Sequence, residues 1–368
     1  MKILFIGSRL YDDVDYYVKE KGIESILTES NEDAINLDLP DKVIIVPRGM
    51  DAPKQIAISE NVDAVIPLIG IDPPLIDVAH MKEEIESEYD IPVIAANVRA
   101  VELTSDKINT KKFYNEIGVT TPNYQILEKD TFKNELTIDF PIVLKQGYGQ
   151  GGKDIKIANS IEDIEEYFQE FDKALCEEFI EGAEISIEVL AFKGEVIPLI
   201  PIYKGETTLE GTHPLNKVKL GPCEIECFDN ERVIEAAGKV ASELNSDGIF
   251  EMDFMYSHSK DTLYAIEVNT RPNGTRYLTT ATCDVNSLHE LINMALGEFS
   301  KENIDSKLKE FYATEIPIGN YNGPKHSEPL KSFAKDDFVV HGPEGYQRIT
   351  IRAKSSEKLN EFKNSLLN

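Results

Sequence analysis

The chain reads as an α/β protein: a parallel-sheet N-terminal domain, a larger α+β unit of two subdomains, and a small completing subdomain at the C-terminus. Three observations predict this. Short apolar runs alternate with helical segments over the first hundred residues, the pattern of a doubly wound sheet. A glycine-rich segment, Gln146 to Gly152, lies between two strand-like runs. A hairpin downstream carries acidic and amide side chains on one face. The expected domains are 1–100, 101–300 with a lid at about 112–180, and 301–368.

In the first domain the strand-like runs are Lys2 to Gly7, Ser25 to Thr28, Lys42 to Val46, Ala64 to Pro67 and Pro92 to Ala95. Only Gly7 stands at the first turn, so the dinucleotide fingerprint G-x-G-x-x-G is absent. The strand ends, with Gly7-Ser8-Arg9 and the loop Ile71-Asp72-Pro73-Pro74, are candidate contacts for a small substrate. At about residue 101 the character changes. Thr104-Ser105-Asp106 can cap a helix that has Lys107 in its first turn, where a cation opposes the helix dipole unless an anion lies nearby.

Phe140 to Lys145 reads as a strand that delivers Lys145 at its end, and Asp154 to Ala158 as its antiparallel return. Between them Gly147, Tyr148, Gly149, Gln150, Gly151 and Gly152 let backbone N–H groups approach an anion, so a flexible phosphate cover is favoured over a loose turn. Alternation resumes from Ala174 to Glu177 or Glu178. Phe179 and Ile180 then offer an apolar pair beside free backbone groups, which suits a flat base, and Glu184 opens the next strand, to Phe192. Residues 203–223 read as a long polar connection holding His213, Lys217 and Lys219. A helix is expected from Asn230 to Leu244.

The hairpin is Ile249 to Tyr256 and Thr262 to Asn269. Alternation puts Glu251 and Asp253 on one face of the first strand, and Glu267 and Asn269 opposite Ile266 and Val268 on the second. Asp253, Glu267 and Asn269 thus converge, with Arg271 just beyond. Adjacent carboxylates destabilise a sheet unless a cation or proton compensates. Two carboxylates and an amide suit Mg²⁺ shared with phosphates. A solvated strand face is the plainer reading for any one of these acids, but not for the set. Beyond the hairpin, Ser287 to Leu296 reads as a helix stopped by Gly297, and Ala313 to Ile318, Asp337 to His341 and Arg348 to Arg352 as strands before a terminal helix.

Composition bounds the function. A net charge of -28 excludes a nucleic-acid binder, which needs clustered Lys and Arg. No run reaches the roughly 20 apolar residues of a bilayer span, and the start MKILFIGSRL lacks a signal core; the expected location is the cytoplasm. Four cysteines fit reduced thiols, with Cys223 and Cys227 lacking the second pair a zinc site needs.

The order of parts, a lysine ending a strand, a glycine-rich flap, E-E-F-I-x-G-x-E, then Asp and E-x-N-x-R, resembles the ATP-grasp superfamily from about Lys107 to Gly297. The resemblance implies an ATP-grasp fold behind a pre-ATP-grasp domain, with ATP and Mg²⁺ or Mn²⁺ as cofactors. It implies Lys107 and Lys145 on the nucleotide phosphates, residues 147–152 as the flap, Glu178, Phe179 and Ile180 as the adenine hinge with Glu177 also in the nucleotide site, and Glu184 at the ribose. Asp253, Glu267 and Asn269 would hold two metal ions, with Arg271, Lys219 and His213 at the reacting groups.

Two branches look similar. His213 with Pro222, and E-V-N-T-R-P-N, are similar to the synthetase half of carbamoyl-phosphate synthase large chains, from which Thr270 and Lys107 depart, proline and arginine being usual there. The spacing of Glu177, Glu184, Glu267 and Asn269 also suits D-alanine–D-alanine ligases and other amino-acid ligases, including the lysine-adding enzyme of pyrrolysine synthesis. The expectation is an ADP-forming carboxylate–amine ligase acting on amino acids or peptides, in cell-wall (pseudomurein) or cofactor synthesis, possible as a homodimer. The alternatives are an enzyme that phosphorylates bicarbonate and a non-catalytic, ATP-binding regulatory protein.

Overall fold

The structure, a computed structural model, describes residues 1–149, 154–209, 217–272, 274–321, 338–342 and 345–367. The chain forms three sheets in sequence order. Strands β1 (Lys2–Ile6), β2 (Glu24–Glu29), β3 (Lys42–Ile45) and β4 (Ala64–Pro67) make the first, all parallel, in the order β3-β2-β1-β4. Ile3, Leu4 and Phe5 are fully buried, as expected of a parallel strand covered on both faces. The run Pro92 to Ala95 does not become a fifth strand. It makes one bridge, Val65 to Val93, because Pro92 has no N–H to give and the Val93 amide donates to the Glu86 carboxylate at 2.9 Å.

The second sheet is the lid: β5 (Tyr124–Glu128), β6 (Ile142–Lys145), β7 (Lys156–Ala158) and β8 (Lys173–Glu178), antiparallel in the order β5-β8-β6-β7. It closes a core of its own around Leu127, Phe132, Leu144, Ile164 and Phe168. Ser160 and Asp163 form a capping box for its helix, Ile161–Glu170. The expected antiparallel return holds, since β7 pairs antiparallel with β6.

The third sheet has nine strands: β9 (Gly182–Phe192), β10 (Glu195–Pro198), β11 (Ile202–Thr207), β12 (Lys219–Gly221), β13 (Gly248–Ser257), β14 (Thr262–Asn269), β15 (Tyr312–Gly319), β16 (Phe338–His341) and β17 (Gln347–Ala353). Its order is β14-β13-β9-β11-β12-β15-β17-β16, with β10 on β9. Gly182 marks the passage from lid to large sheet. Its φ is +149°, and a Cβ there would lie 2.0 Å from the Tyr256 carbonyl oxygen, so no other residue fits.

One further expectation is corrected. Residues 203–223 are not a structureless connection, because β11 and β12 occupy its two ends and pair with each other. A register shift between Tyr203 and Gly205 breaks the alternation that would have exposed β11 in the sequence. The strands after residue 311 are continuous with the large sheet, β15 pairing with β12.

One face of this sheet is the main core, with Ile185, Ile187, Phe250, Met252 and Phe254 packed against the helix Glu231–Leu244. The alternate residues of the same strands, Glu184, Ser186 and Glu188 on β9 and Glu251, Asp253 and Met255 on β13, therefore occupy the opposite face.

Candidate active site

Register assembles the site in rows. Glu188, Glu251 and Asn269 lie side by side across β9, β13 and β14; Ser186, Asp253 and Glu267 form the next row; Glu184 and Met255 with Tyr264 form the third. Adjacent strands are about 4.8 Å apart, so Asp253 and Glu267 face each other as neighbours. After that pair the register shifts between Asp253 and Phe254, the extra residue being Ile266. Ile266 therefore leaves the face of Val268, contrary to strict alternation, and packs with Ile180, Met255 and Tyr264. The bulge thus turns one strand face from acidic to apolar within two residues, about 7 Å.

The acidic rows are under strain. Glu251 has no exposed surface and accepts hydrogen bonds from Ser186 Oγ at 2.7 Å and Thr275 Oγ1 at 2.6 Å. Burial, helped by Asp253, pushes its carboxyl up to about 7. Burial also raises Glu267, with Asp253 adding to the effect against Lys107, Lys145 and Lys204. Asp253 Oδ1 is buried and has no hydrogen-bond partner among the described residues. Glu188 and Glu251 each leave one oxygen in the same condition.

Cations surround these rows. Lys145, at the end of β6, donates to Glu177 Oε2 at 3.0 Å. Lys111, almost fully buried, lies 3.4 Å from the same oxygen and donates to Thr121 Oγ1 at 2.8 Å and towards the Ala265 carbonyl. Burial alone would raise the Glu177 carboxyl, but the two lysines outweigh it and hold it low. Burial in turn brings Lys111 down to about 8 against the pull of Glu177. Lys107 opens its helix behind Asp106, whose side chain caps it, and donates its backbone N–H to Gly147 and its Nζ to the Gly149 carbonyl. The flap and the first lysine are thus joined through Gly147 and Gly149.

A third group was not legible as such. Lys204 on β11 donates to Asp253 Oδ2 at 2.8 Å and lies 3.0 Å from Glu184 Oε1; Lys217 is 2.8 Å from Glu184 Oε2. Burial works to raise Glu184, yet these two lysines prevail and take it down to about 2.

The remaining predicted residues fall as follows. Ile180 is buried beside Met255 and Tyr264. The backbone donors at Glu178 and Phe179 are not free as expected: Glu178 N–H donates to the Asn123 carbonyl at 2.9 Å and Phe179 N–H to that of Pro141 at 3.2 Å. The Glu178 carboxylate accepts from Asn123 N–H at 3.1 Å and faces Lys260. Tyr148 is exposed at the flap tip. Arg271 pairs with Asp72 of the N-terminal domain. Lys219 is 2.9 Å from Glu315, which also meets Arg348 and His341, so it belongs to a separate cluster in the C-terminal part of the sheet. His213, Gln150, Gly151 and Gly152 lie outside the described residues. All four cysteines are free thiols.

The donor set suits a magnesium ion. Asp253 and Glu267 supply two hard carboxylates, one with a buried oxygen that lacks a partner, and Asn269 supplies an amide beside them. Among the described residues no three His, Cys, Asp or Glu side chains gather into a closed cage. Such an incomplete set fits an ion that completes its shell with phosphate oxygens and water.

Comparison with known proteins gives the family. Residues 104–275 match the family model described as an ATP-grasp domain. The chain is 73% identical over 367 residues, covering all of both chains, to a protein of Methanobrevibacter smithii named carbamoyl-phosphate synthase. The chain belongs to the ATP-grasp family. Its fold is shared with an L-amino acid ligase from Bacillus licheniformis, TM-score 0.78 at 18% identity over 99% of this chain and 96% of that one. It is shared equally with the biotin carboxylase domain of Hydrogenobacter thermophilus 2-oxoglutarate carboxylase bound to MgADP, TM-score 0.77 at 22% identity over 99% and 88%. The chain spans about a quarter of the length of the carbamoyl phosphate synthase large chains it also matches. As an ATP-grasp ligase it uses ATP. Among its described residues no helix is long and apolar enough to cross a membrane.

Proposed function

We propose that this ATP-grasp ligase joins a small carboxylate to an amine with release of ADP and phosphate. The observation that carries this is the facing pair Asp253 and Glu267, with a buried Asp253 oxygen that has no hydrogen-bond partner among the described residues, ringed by Lys107, Lys145 and Lys204. When bound, Mg²⁺ and ATP supply a γ-phosphoryl group made electrophilic by charge neutralisation.

The chain's own residues do the rest. Asp253, Glu267 and Asn269 would hold the metal; Lys107 and Lys145 would offset phosphate charge; Ile180, Met255, Tyr264 and Ile266 would form the apolar seat for the base, and Glu184 would take the ribose hydroxyls. An oxygen of the substrate carboxylate bonds to the γ-phosphorus as the bond to ADP breaks. The amine nitrogen then bonds to the acyl carbon, phosphate leaves with the electron pair, and a proton from the amine passes to solvent. Arg271 and flap amides stabilise the oxyanion of that second step. Closure of the flap keeps water from the acyl phosphate. Amino acids or short peptides are the substrates this reading favours.

The test is ADP release from the purified chain with Mg²⁺ and ATP, set against pools of amino acids, dipeptides and bicarbonate. Stimulation by an amino-acid or peptide pool that vanishes in Glu267→Gln supports the reading; turnover unaffected by Glu267→Gln removes it. A second reading is favoured by the name of the 73% identical relative: phosphorylation of bicarbonate on the way to carbamoyl phosphate. ADP release that requires bicarbonate and no amino acid would decide for it.

A further inference from the structure

Where the N-terminal domain meets the end of the hairpin, two segments from opposite ends of the fold touch. The loop after β4 touches the extension of strand β14 in ordinary van der Waals contact, where a Cβ on Gly70 would lie 3.6 Å from the Pro272 carbonyl oxygen. Across this contact Asp72 pairs with Arg271. Carboxyl ends of parallel strands are where open α/β sheets hold ligands, and this contact stands at the end of β4.

The pairing is odd for an arginine meant to steady negative charge. A carboxylate on the guanidinium cancels much of its field, and it would repel any substrate that brings only negative charge, such as bicarbonate. A substrate bringing both signs turns one ion pair into two: its carboxylate on Arg271, its ammonium on Asp72. Exposure agrees with this arrangement. The Asp72 side chain keeps 30% of its surface while Arg271 keeps 11%, so the carboxylate is the partner that opens to an incoming cation.

Beside the pair lies a cavity of about 30 Å³ lined by Ile69, Leu75, Val78, Val101, Thr270 and Arg271 among others. That is room for one or two water-sized groups. Its walls are aliphatic apart from Arg271 and Thr270, whose hydroxyl is buried with no hydrogen-bond partner among the described residues.

We infer that Asp72 is the ammonium anchor of the carboxylate substrate, which is an α-amino acid with a short apolar side chain seated in this cavity. The inference rests on the ligase reading above and narrows it. Asp72 is a specificity-determining residue; Arg271 holds the carboxylate that is phosphorylated.

The test uses the full chain with Mg²⁺ and ATP and follows ADP release against glycine, alanine, leucine, N-acetylalanine and bicarbonate. Alanine or glycine should outperform leucine by at least tenfold in kcat/KM, and N-acetylalanine, which has no cation, should fail. Asp72→Asn should raise the amino-acid KM tenfold or more while leaving the ATP KM within twofold. N-acetylalanine acting as well as alanine overturns the anchor without any variant. So does an Asp72→Asn enzyme whose amino-acid KM is unchanged, or one whose ATP KM and Tm move together, as a mere tie between domains would require. If the wild-type chain responds to bicarbonate and to no amino acid, the ligase reading itself falls, and this inference with it.

Discussion

Two buried carboxylate clusters share the large sheet and differ in charge balance. Around Glu315, Lys219 stands at 2.9 Å with Arg348 and the His341 ring beside it, and although burial works to raise this carboxyl, its neighbours, Lys219 first, take it down to about 2. Burial pushes His341 itself down to about 4 and leaves Lys219 and Arg348 as the fixed charges. At Glu267 burial prevails and raises the carboxyl, and beside it Asp253 Oδ1 has no hydrogen-bond partner among the described residues. The first cluster carries two fixed counter-charges, Lys219 and Arg348, that outweigh burial, although Glu315 Oε2, like Asp253 Oδ1, has no hydrogen-bond partner among the described residues. The second holds more negative charge than its lysines settle, which is the condition of a site that receives cations from outside.

Removing a charge from the first cluster should have the largest effect on folding. Glu315→Gln leaves Lys219 and Arg348 buried without the Glu315 carboxylate and should cost about 3–5 kcal/mol, seen as a lowered Tm, while the ATP KM of the folded fraction stays near wild type.

The same substitution should alter acid stability. A carboxyl held at about 2 in the folded state, below its ordinary 4.5, contributes stability that is present above about pH 4.5 and lost as pH falls toward 2. Denaturation curves of wild type should therefore be steeper in that window than those of Glu315→Gln. Equal slopes would mean that Glu315 is not ionised in the folded chain.

At the second cluster the signs reverse. Glu267→Gln should reduce turnover on the order of 10²–10³-fold yet leave Tm unchanged or raised, since it removes a repelled charge. A fall in Tm like that of Glu315→Gln would erase the distinction between the clusters.

Lys111 gives a smaller effect and tests how the lid is positioned. It reaches Glu177 on the lid and the Ala265 carbonyl on the large sheet, and through Glu177 it sets Lys145. Lys111→Met should raise the ATP KM by about 10–100-fold, the cost of losing a residue that orients a ligand, and Lys111→Arg should recover part of it. An unchanged KM would assign Lys111 to packing alone.

The hairpin was legible because its alternation, its acids and its amide lie within one local stretch, and a strand displays its two faces in its own sequence. The bulge at Ile266 was not, since it is a property of the pairing with β13, and it is what brings Ile266 to Ile180. Lys204 and Lys217 were hidden for a related reason, coming from a segment whose strands exist only through their partners. Lys111 did leave a signal: Lys107 and Lys111 are like charges one helical turn apart, a costly pair unless an anion lies near.

The sequence by itself determined most element types, the parallel first domain, the strands that flank the glycine-rich segment and the acidic hairpin, because periodicity, glycine and capping act over a few residues. Only the tertiary structure decided which cations settle which carboxylates. Lys204 took Asp253 and Glu184, Lys219 took Glu315, and Arg271 took Asp72. Charge balance between residues remote in the chain depends on distance and burial, and neither exists until the sheets have formed.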